Sequence, residues 1–210
     1  MSRSTFYIVV IVFILLAGSL AYHFWPHKAP AMSYTNYPSK GTDLIAFGDS
    51  LVAGYGANDG QDFVSDLSAN IGQPIINLGV DGDTTAEALA RISSLDKYNP
   101  KVVILLVGGN DYLQQKDMTQ AFINLGKIIS YIQSKGAVVV LVGVRASPLI
   151  GNFDSQYQQL VKQYNVAYVP DAMDGIIGNS KYMFDSVHPN SAGYALLAGR
   201  ILPTLNSVLK

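Results

Sequence analysis

The 210-residue chain contains no cysteine, and only 14% of its residues are charged, well below the usual quarter. The absence of cysteine excludes disulfide bonds, a thiolate nucleophile and a cysteine-ligated metal site. Its 14 basic and 15 acidic residues nearly cancel, which excludes a strongly basic nucleic-acid-binding protein and an acidic tail. We therefore expect no nucleic-acid partner. The hydrophobic fraction of 49% and the mean hydropathy of +0.22 need an explanation.

An apolar run near the N-terminus accounts for part of this hydrophobicity. Asp, Glu, Lys and Arg are absent between Arg3 and Lys28, and the apolar run extends from Phe6 to about Trp25. About 20 such residues suffice to cross roughly 30 Å of hydrocarbon. Residues 1–25 are therefore predicted to form a membrane anchor or a cleaved secretory signal, and the length of the run favours the anchor. The remaining chain is expected on the extracytoplasmic side of the membrane, or secreted if the segment is cleaved.

A linker is predicted at residues 26–42, where three prolines and several small polar residues disfavour a helix. The folded domain is predicted over residues 43–210, which is long enough for one substantial core. Within it, short aliphatic runs alternate with segments of helical apolar spacing, a pattern typical of a parallel sheet covered on both faces. Strands are predicted at 44–47, 74–78, 102–107, 137–142 and 166–169, and helices at 63–71, 84–95, 118–134, 156–164 and 191–209, the last kinked or ended at Pro203.

Residues with catalytic potential follow the predicted strands. Ser50 follows the first strand, Gly79 the second and Asn110 the third, and Asp185 and His188 stand near the C-terminus. In a parallel sheet the active site lies beyond the carboxyl ends of the strands. A serine, a histidine and an aspartate form the triad of serine hydrolases, and a backbone N–H and an asparagine amide are suitable donors for an oxyanion hole.

Each of these residues also has an ordinary structural interpretation. Ser50 and Asn110 can cap a helix or a turn, and Gly79 can permit a positive φ. Asp185 can form an Asx turn, and a single histidine in a domain is more often structural than catalytic. His188 is nevertheless the only histidine of the predicted domain, and the joint occurrence of all five at strand ends favours a catalytic site.

Four sequence blocks, in this order, resemble the SGNH (GDSL) hydrolase family. They are Ala46-Phe47-Gly48-Asp49-Ser50-Leu51, Asn77-Leu78-Gly79-Val80 with Gly82-Asp83-Thr84, Gly108-Gly109-Asn110-Asp111, and Asp185-Ser186-Val187-His188-Pro189-Asn190. The resemblance implies an α/β protein with a three-layer α/β/α flavodoxin-like fold and a five-stranded parallel sheet. The apolar run described above predicts an N-terminal transmembrane helix that precedes this fold. It implies Ser50 as nucleophile, Asp185 and His188 as the rest of the triad, and Ser50, Gly79 and Asn110 as oxyanion-hole donors. No metal or other cofactor is implied.

Within the family, the chain is similar to the branch of bacterial arylesterases and thioesterase/lysophospholipase enzymes. We expect a serine carboxylic ester hydrolase that acts through an acyl-enzyme on short to medium acyl esters. Alternatives are an O-acetyl esterase on cell-envelope carbohydrate and, from a different class, a non-catalytic membrane-tethered glycan- or lipid-binding module.

The expected partners are a small-molecule ester or lipid and the membrane. Tyr55, Tyr112 and Phe153 are candidate walls of the substrate pocket. The branch often carries a longer polar insertion after the fourth strand, whereas the corresponding residues 144–153 are few, so the acyl preference does not transfer from the resemblance. The sequence does not define the oligomeric state.

Overall fold

The computed structural model describes residues 33–144 and 153–210. The predicted membrane segment, the first part of the predicted linker and residues 145–152 lie outside this part of the chain. Among the described residues, no helix has both the length and the apolar character needed to cross a membrane.

A single parallel sheet forms the centre of the fold. Its strands are β1 (Asp43–Gly48), β2 (Ile75–Gly79), β3 (Pro100–Leu106), β4 (Val138–Val142) and β5 (Ala167–Val169). Across the described residues the strand order is β2-β1-β3-β4-β5, and every neighbouring pair is parallel. This order confirms the predicted five-stranded α/β sheet. The direction of winding reverses between β1 and β3, so the carboxyl ends of these two strands flank the crevice in which such folds bind ligands.

The helices within the described residues are α1 (Ser50–Ala53), α2 (Phe63–Ile71), α3 (Thr85–Ala90), α4 (Gly109–Leu113), α5 (Met118–Ser134), α6 (Asp154–Tyr164) and α7 (Ser191–Leu209). The short α1 and α4 are not predicted from sequence, because four or five residues carry no helical periodicity. The helix predicted at 84–95 divides at Arg91 into α3 and a 3₁₀ helix, Ile92–Lys97. Pro203 lies inside α7 and does not end it.

The sheet is covered on both faces, as the aliphatic strands predict. Alternate residues of a strand point to opposite faces. Ala46 and Ile104 pack with α2 and α7 on one face, while Phe47 and Leu105 pack with α3, α5 and α6 on the other. Three layers result, with the sheet between two layers of helices.

Hydrogen bonds hold residues 33–42, which precede β1, against the rest of the domain. Asn36 Nδ2 donates to the carbonyl of Gln133 at 2.8 Å, and Thr35 Oγ1 donates to the carbonyl of Tyr164 at 2.9 Å. These carbonyls lie at the C-terminal ends of α5 and α6, where the helix leaves acceptors without an intrahelical donor. The compact unit formed by the described residues extends from Ser33 to Lys210.

Candidate active site

A continuous chain of hydrogen-bonding contacts joins three of the predicted residues. Ser50 Oγ lies 3.0 Å from His188 Nε2, and His188 Nδ1 lies 2.8 Å from Asp185 Oδ2. With the Nδ1–H tautomer, the imidazole donates to the carboxylate and accepts the serine hydroxyl proton. This arrangement can activate the hydroxyl as a nucleophile.

Ser50 is positioned by a tight turn from β1 into α1. A Cβ at Gly48 would lie 1.7 Å from the carbonyl oxygen of Leu106, so only glycine permits this approach to β3. Asp49 caps α1 by accepting from the Leu51 N–H at 3.0 Å. Ser50 is the first residue of α1, and its own N–H has no protein acceptor among the described residues.

His188 is positioned by a short loop that precedes α7. Met183 and Pro189 form an isolated antiparallel bridge that closes the loop. Inside it, Asp185 Oδ1 accepts from the N–H groups of Val187 and His188, each at 2.7 Å. One carboxylate therefore folds the loop with one oxygen and orients the imidazole with the other.

The Asp185 carboxyl is held in its charged form. Partial burial acts to raise its pKa, but the hydrogen bonds from the His188 ring and from the His188 and Val187 amides outweigh burial and lower the pKa to about 2. The group is thus a carboxylate at neutral pH and can accept the Nδ1–H.

Asn110 lies in the first turn of α4. Its Nδ2 donates to the carbonyl oxygen of Asp83 at 2.9 Å, which fixes the amide while leaving its second N–H available. The preceding Gly108 has a φ of +124°, a conformation that other residues rarely adopt. The side-chain amide predicted as an oxyanion donor therefore has a defined orientation.

Gly79 departs from its sequence interpretation. Its φ is not positive, and glycine is needed instead because a Cβ would lie 2.1 Å from the Ala53 nitrogen. Its N–H, predicted as an oxyanion donor, donates to Asn77 Oδ1 at 2.9 Å. An oxyanion at this position would have to compete with that internal acceptor.

Gly82 is a backbone donor that the sequence reasoning did not single out. It has a φ of +81° and belongs to the turn after β2, next to Asp83, whose carbonyl holds Asn110. Within residues 33–144 and 153–210 its N–H donates to no acceptor. The available signal was its place in the second family block.

Arg91 is a second residue that the sequence reasoning missed. Its guanidinium donates to the carbonyl oxygens of Gly48 at 2.8 Å and Leu78 at 3.1 Å, and forms an ion pair with Asp83. It also lies 4.3 Å above the centre of the Phe47 ring. One side chain thus joins the carboxyl ends of β1 and β2 to the turn that holds Asn110.

Asp111 belongs to a buried polar network. Its carboxylate accepts from the Thr85 N–H at 2.8 Å and from Thr85 Oγ1 at 2.7 Å. Asn124 Nδ2 in turn donates to Thr85 Oγ1 at 3.2 Å. The network connects α4 to the start of α3 and to α5.

Asp49 is buried beside Ser50 and carries an altered pKa. Burial is the largest cause and raises the pKa of Asp49. The hydrogen bond from the Leu51 N–H lowers this pKa, and the negative charges of Asp83 and Asp111 raise it, so that the pKa is about 7. The loop that carries Ser50 therefore contains a carboxyl group that titrates near neutrality.

The predicted pocket walls divide between two places. The cleft beside Ser50 is lined mainly by apolar side chains: Leu51, Leu113, Val144, Met173, Ile177 and Val187. Tyr112 and Phe153, with rings 6.4 Å apart, line a neighbouring cleft that shares Val144. Tyr55 instead packs on His188, with 4.6 Å between the ring centres.

Comparison with known proteins agrees with this architecture. The model of the GDSL-like Lipase/Acylhydrolase family matches residues 46–196. Esterase TesA of Pseudomonas aeruginosa is 29% identical over 208 residues, which cover 93% of this chain and 98% of that protein. An arylesterase of Vibrio mimicus is 33% identical over 158 residues, which cover 70% and 79% respectively. A crystal structure of TesA superposes with a TM-score of 0.74 at 30% identity, covering 80% of this chain and 99% of the other.

The fold and the site together define a serine hydrolase of the α/β class. The chain belongs to the GDSL-like lipase/acylhydrolase (SGNH hydrolase) family. It is an ester hydrolase of this family, which confirms the predicted family and the predicted enzyme class, and favours an enzyme over a non-catalytic binding module.

Proposed function

We propose that the protein hydrolyses short to medium acyl esters through a Ser50-bound acyl-enzyme, with His188 as general base and Asp185 as its orienting carboxylate. The chain of contacts from Ser50 Oγ through the His188 ring to Asp185 is the observation that carries this proposal. No metal takes part in these steps.

In the proposed mechanism, His188 carries the proton in both the acylation and the deacylation step. His188 Nε2 takes the Ser50 proton as Oγ attacks the ester carbonyl, and the carbonyl oxygen becomes an oxyanion. The imidazolium then protonates the leaving oxygen, the alcohol departs and the acyl group stays on Oγ. Water repeats the sequence with His188 as base, which releases the carboxylic acid and restores the Ser50 hydroxyl.

The oxyanion takes its hydrogen bonds from the Ser50 N–H, the second Asn110 amide proton and the Gly82 N–H. Gly82 is preferred to Gly79 as the second backbone donor because Gly79 already donates to Asn77. A crystal structure of the enzyme phosphonylated at Ser50 distinguishes them. We expect the phosphoryl oxygen to accept from Gly82, while the Gly79–Asn77 contact persists; a phosphoryl oxygen bound to Gly79 would restore the original assignment.

The acyl chain occupies the cleft beside Ser50. Its apolar lining of Leu51, Leu113, Val144, Met173, Ile177 and Val187 suits a hydrocarbon chain, and none of the described residues that line it is a cation. A chain-length series of p-nitrophenyl esters should give the highest kcat/KM at short to medium acyl groups.

The triad assignment is tested by Ser50→Ala and by a phosphonate label. Removing the nucleophile should reduce kcat by roughly 10⁶-fold, as in other serine hydrolases. A phosphonate should label Ser50 stoichiometrically in the wild type. Turnover that survives in Ser50→Ala, or a label on another residue, would contradict the nucleophile assignment.

We also propose that residues 1–25 anchor the protein in the membrane with the domain on the extracytoplasmic side. The uncharged apolar run between Arg3 and Lys28 supports this.

The full chain should fractionate with membranes and need detergent for release, whereas a chain beginning at Ser33 should be soluble with unchanged kcat/KM. A chain beginning at Asp43 should melt at a lower temperature, because it lacks the Thr35 and Asn36 contacts. A full chain recovered in the soluble fraction without cleavage would overturn the anchor.

A further inference from the structure

Two neighbouring contacts join the segment after β2 to α4. In the first contact, Asn110 Nδ2 donates to the Asp83 carbonyl oxygen at 2.9 Å. In the second, Thr85, the first residue of α3, donates its N–H to Asp111 Oδ2 at 2.8 Å and its hydroxyl to Asp111 Oδ1 at 2.7 Å. The segment after β2 carries Gly82, and α4 carries Asn110. Both contacts therefore connect the segments that carry two of the proposed oxyanion donors.

The contact between Thr85 and Asp111 is buried. Thr85 is fully buried and Asp111 is 3% exposed, so water does not compete for these hydrogen bonds. A carboxylate that accepts two hydrogen bonds from one residue is fixed in both position and orientation relative to that residue. Asp111 directly follows Asn110 in α4, so the contact with Thr85 also restrains the backbone that carries the Asn110 amide.

Asn124 on α5 determines the direction in which the Thr85 hydroxyl donates. Asn124 Nδ2 donates to Thr85 Oγ1 at 3.2 Å, and Asn124 Oδ1 accepts from Gln120 Nε2 at 2.9 Å. A hydroxyl carries one proton, and the Asn124 group that faces it is itself a donor, so the proton is left for Asp111. We call Gln120, Asn124, Thr85 and Asp111 the Asp111 network. Each of its hydrogen bonds points towards the Asp111 carboxylate.

The Asp111 network lies outside the cleft beside Ser50. Its four members are not among the described residues that line this cleft, whereas Asn110 is. The donors of an oxyanion hole stabilise the transition state because they are in place before the reaction, and a displacement of about 1 Å can be costly. Resting on the proposed function, we infer that Thr85, with its hydroxyl oriented by Asn124, is a positioning residue that holds the Asn110 amide against the oxyanion through Asp111.

The first test removes the Thr85 hydroxyl and then restores it. Thr85→Val has nearly the same shape but loses the contact of Oγ1 with Asp111. We expect kcat for p-nitrophenyl acetate to fall about tenfold, with KM within about twofold. Thr85→Ser keeps the hydroxyl and loses a buried methyl group, so it should melt at a lower temperature than wild type but recover most of kcat. An unchanged kcat in Thr85→Val, or an equal loss in both variants, would overturn the positioning role.

Thr42 provides a matched control for the loss of a threonine–aspartate contact. Its Oγ1 donates to Asp43 Oδ1 at 3.0 Å at the amino end of β1, and it does not line the cleft beside Ser50. Thr42→Val should leave kcat and KM unchanged. A loss of kcat equal to that of Thr85→Val would show that the effect does not depend on Asp111, and would overturn the inference.

A double-mutant cycle tests whether Asn124 acts through the Thr85 hydroxyl. Asn124→Asp replaces the donor with an acceptor of the same shape, which should draw the Thr85 proton away from Asp111 and lower kcat about three- to tenfold. Asn124→Leu removes the donor without supplying an acceptor, so its loss should be smaller. In the Thr85→Val background neither change should lower kcat further. Losses that multiply there, or a larger loss in Asn124→Leu, would overturn the role of Asn124.

A spectroscopic measurement separates failure of the positioning role from failure of the proposed function. The side-chain N–H signals of Asn110, identified by NMR from their absence in Asn110→Ala, report the surroundings of the amide without turnover. They should shift in Thr85→Val and return towards their wild-type positions in Thr85→Ser. Unchanged signals in Thr85→Val would overturn the positioning role even if Ser50 proves to be the nucleophile. Turnover that survives in Ser50→Ala overturns the proposed function, and the Asn110 signals still decide whether Thr85 positions the amide.

Discussion

The two halves of the candidate active site are built in different ways. The half that carries Ser50 lies at buried strand ends, where Asp49, Asp83 and Asp111 are each less than a tenth exposed. The half that carries His188 lies in a surface loop, where the Asp185 side chain is 39% exposed. The half with Ser50 is therefore buried, and the half with His188 is exposed at the surface.

The contacts that hold the two halves differ accordingly. Arg91 reaches the carbonyl oxygens of Gly48 and Leu78, which come from two strands distant in sequence. The loop of His188 is held chiefly by Asp185, three residues away, and by its own bridge. Substitutions in the buried half should therefore reduce stability and activity together, whereas substitutions in the exposed half should reduce activity alone.

Asp185→Asn should give the largest loss among the substitutions that test this comparison. The amide keeps the shape of the side chain but can stabilise the wrong imidazole tautomer, which costs about 10⁴-fold in kcat in other triads. The midpoint of thermal unfolding, Tm, should change little at neutral pH because the loop is exposed and the acceptor for the two backbone N–H groups remains. Melting curves and steady-state kinetics on one preparation provide both values. A large drop in Tm would contradict the division between the halves.

Asn110→Ala should give the next largest loss, and here both properties should change. Removal of one oxyanion donor costs roughly 10²–10³-fold in kcat, about 3–4 kcal/mol of transition-state stabilisation, with little change in KM. The Asp83 carbonyl also loses its donor, which should lower the free energy of unfolding by about 1 kcal/mol. If KM rises while kcat is preserved, Asn110 binds the ground state and is not an oxyanion donor.

Arg91→Lys tests whether the buried half depends on a positioning residue. Lysine keeps the charge but cannot reach two carbonyl oxygens and a carboxylate with one planar group. We expect kcat to fall about tenfold as the Asn110 and Ser50 loops lose alignment, with a clear drop in Tm. A matched substitution of an exposed cation, Lys127→Arg, should change neither. A lower Tm with unchanged kcat would reduce Arg91 to a purely structural role.

Patterns local in sequence predicted most of the fold. The bounds of α2, α5 and α7 coincide with the predicted helices because apolar spacing extends over each helix and polar N-caps such as Asp62 and Asn190 mark where α2 and α7 begin. The parallel sheet follows from its continuous aliphatic strands. The predicted linker, residues 26–42, includes residues 33–42 because its prolines and small polar residues disfavour a helix. Composition does not reveal that Thr35 and Asn36 donate to carbonyls at the ends of distant helices.

The site was predictable only where its residues belong to sequence blocks. Ser50 is predictable because its motif directly follows the first strand, and Asp185 and His188 are predictable because one short motif carries both, three residues apart. Arg91 belongs to no block, and its role depends on two carbonyl groups that only the folded sheet brings together. Asp111 does belong to a block, but only its burial and its hydrogen bonds to Thr85 identify it as a structural acceptor. Such roles depend on tertiary distance and burial, which sequence spacing does not encode.

The last predicted effect concerns the pH dependence of stability and again separates the two halves. The pKa of Asp49 is raised from 3.8 to about 7 in the fold, so its contribution to stability is fully present below about pH 4 and is lost as the pH rises to about 7. The pKa of Asp185 is lowered to about 2, so its carboxylate keeps its charge in the folded protein from pH 4 to 8, and solvent screening at this exposed site keeps its contribution to stability small. Asp49→Asn should retain the oxygen that accepts from the Leu51 N–H while removing the buried charge. The Tm of the variant relative to wild type should therefore increase as the pH rises from 4 to 8. If the two proteins gave parallel curves of Tm against pH over this range, the pKa of Asp49 would not be raised in the folded protein. The buried and exposed halves would then not differ in the pH dependence of stability.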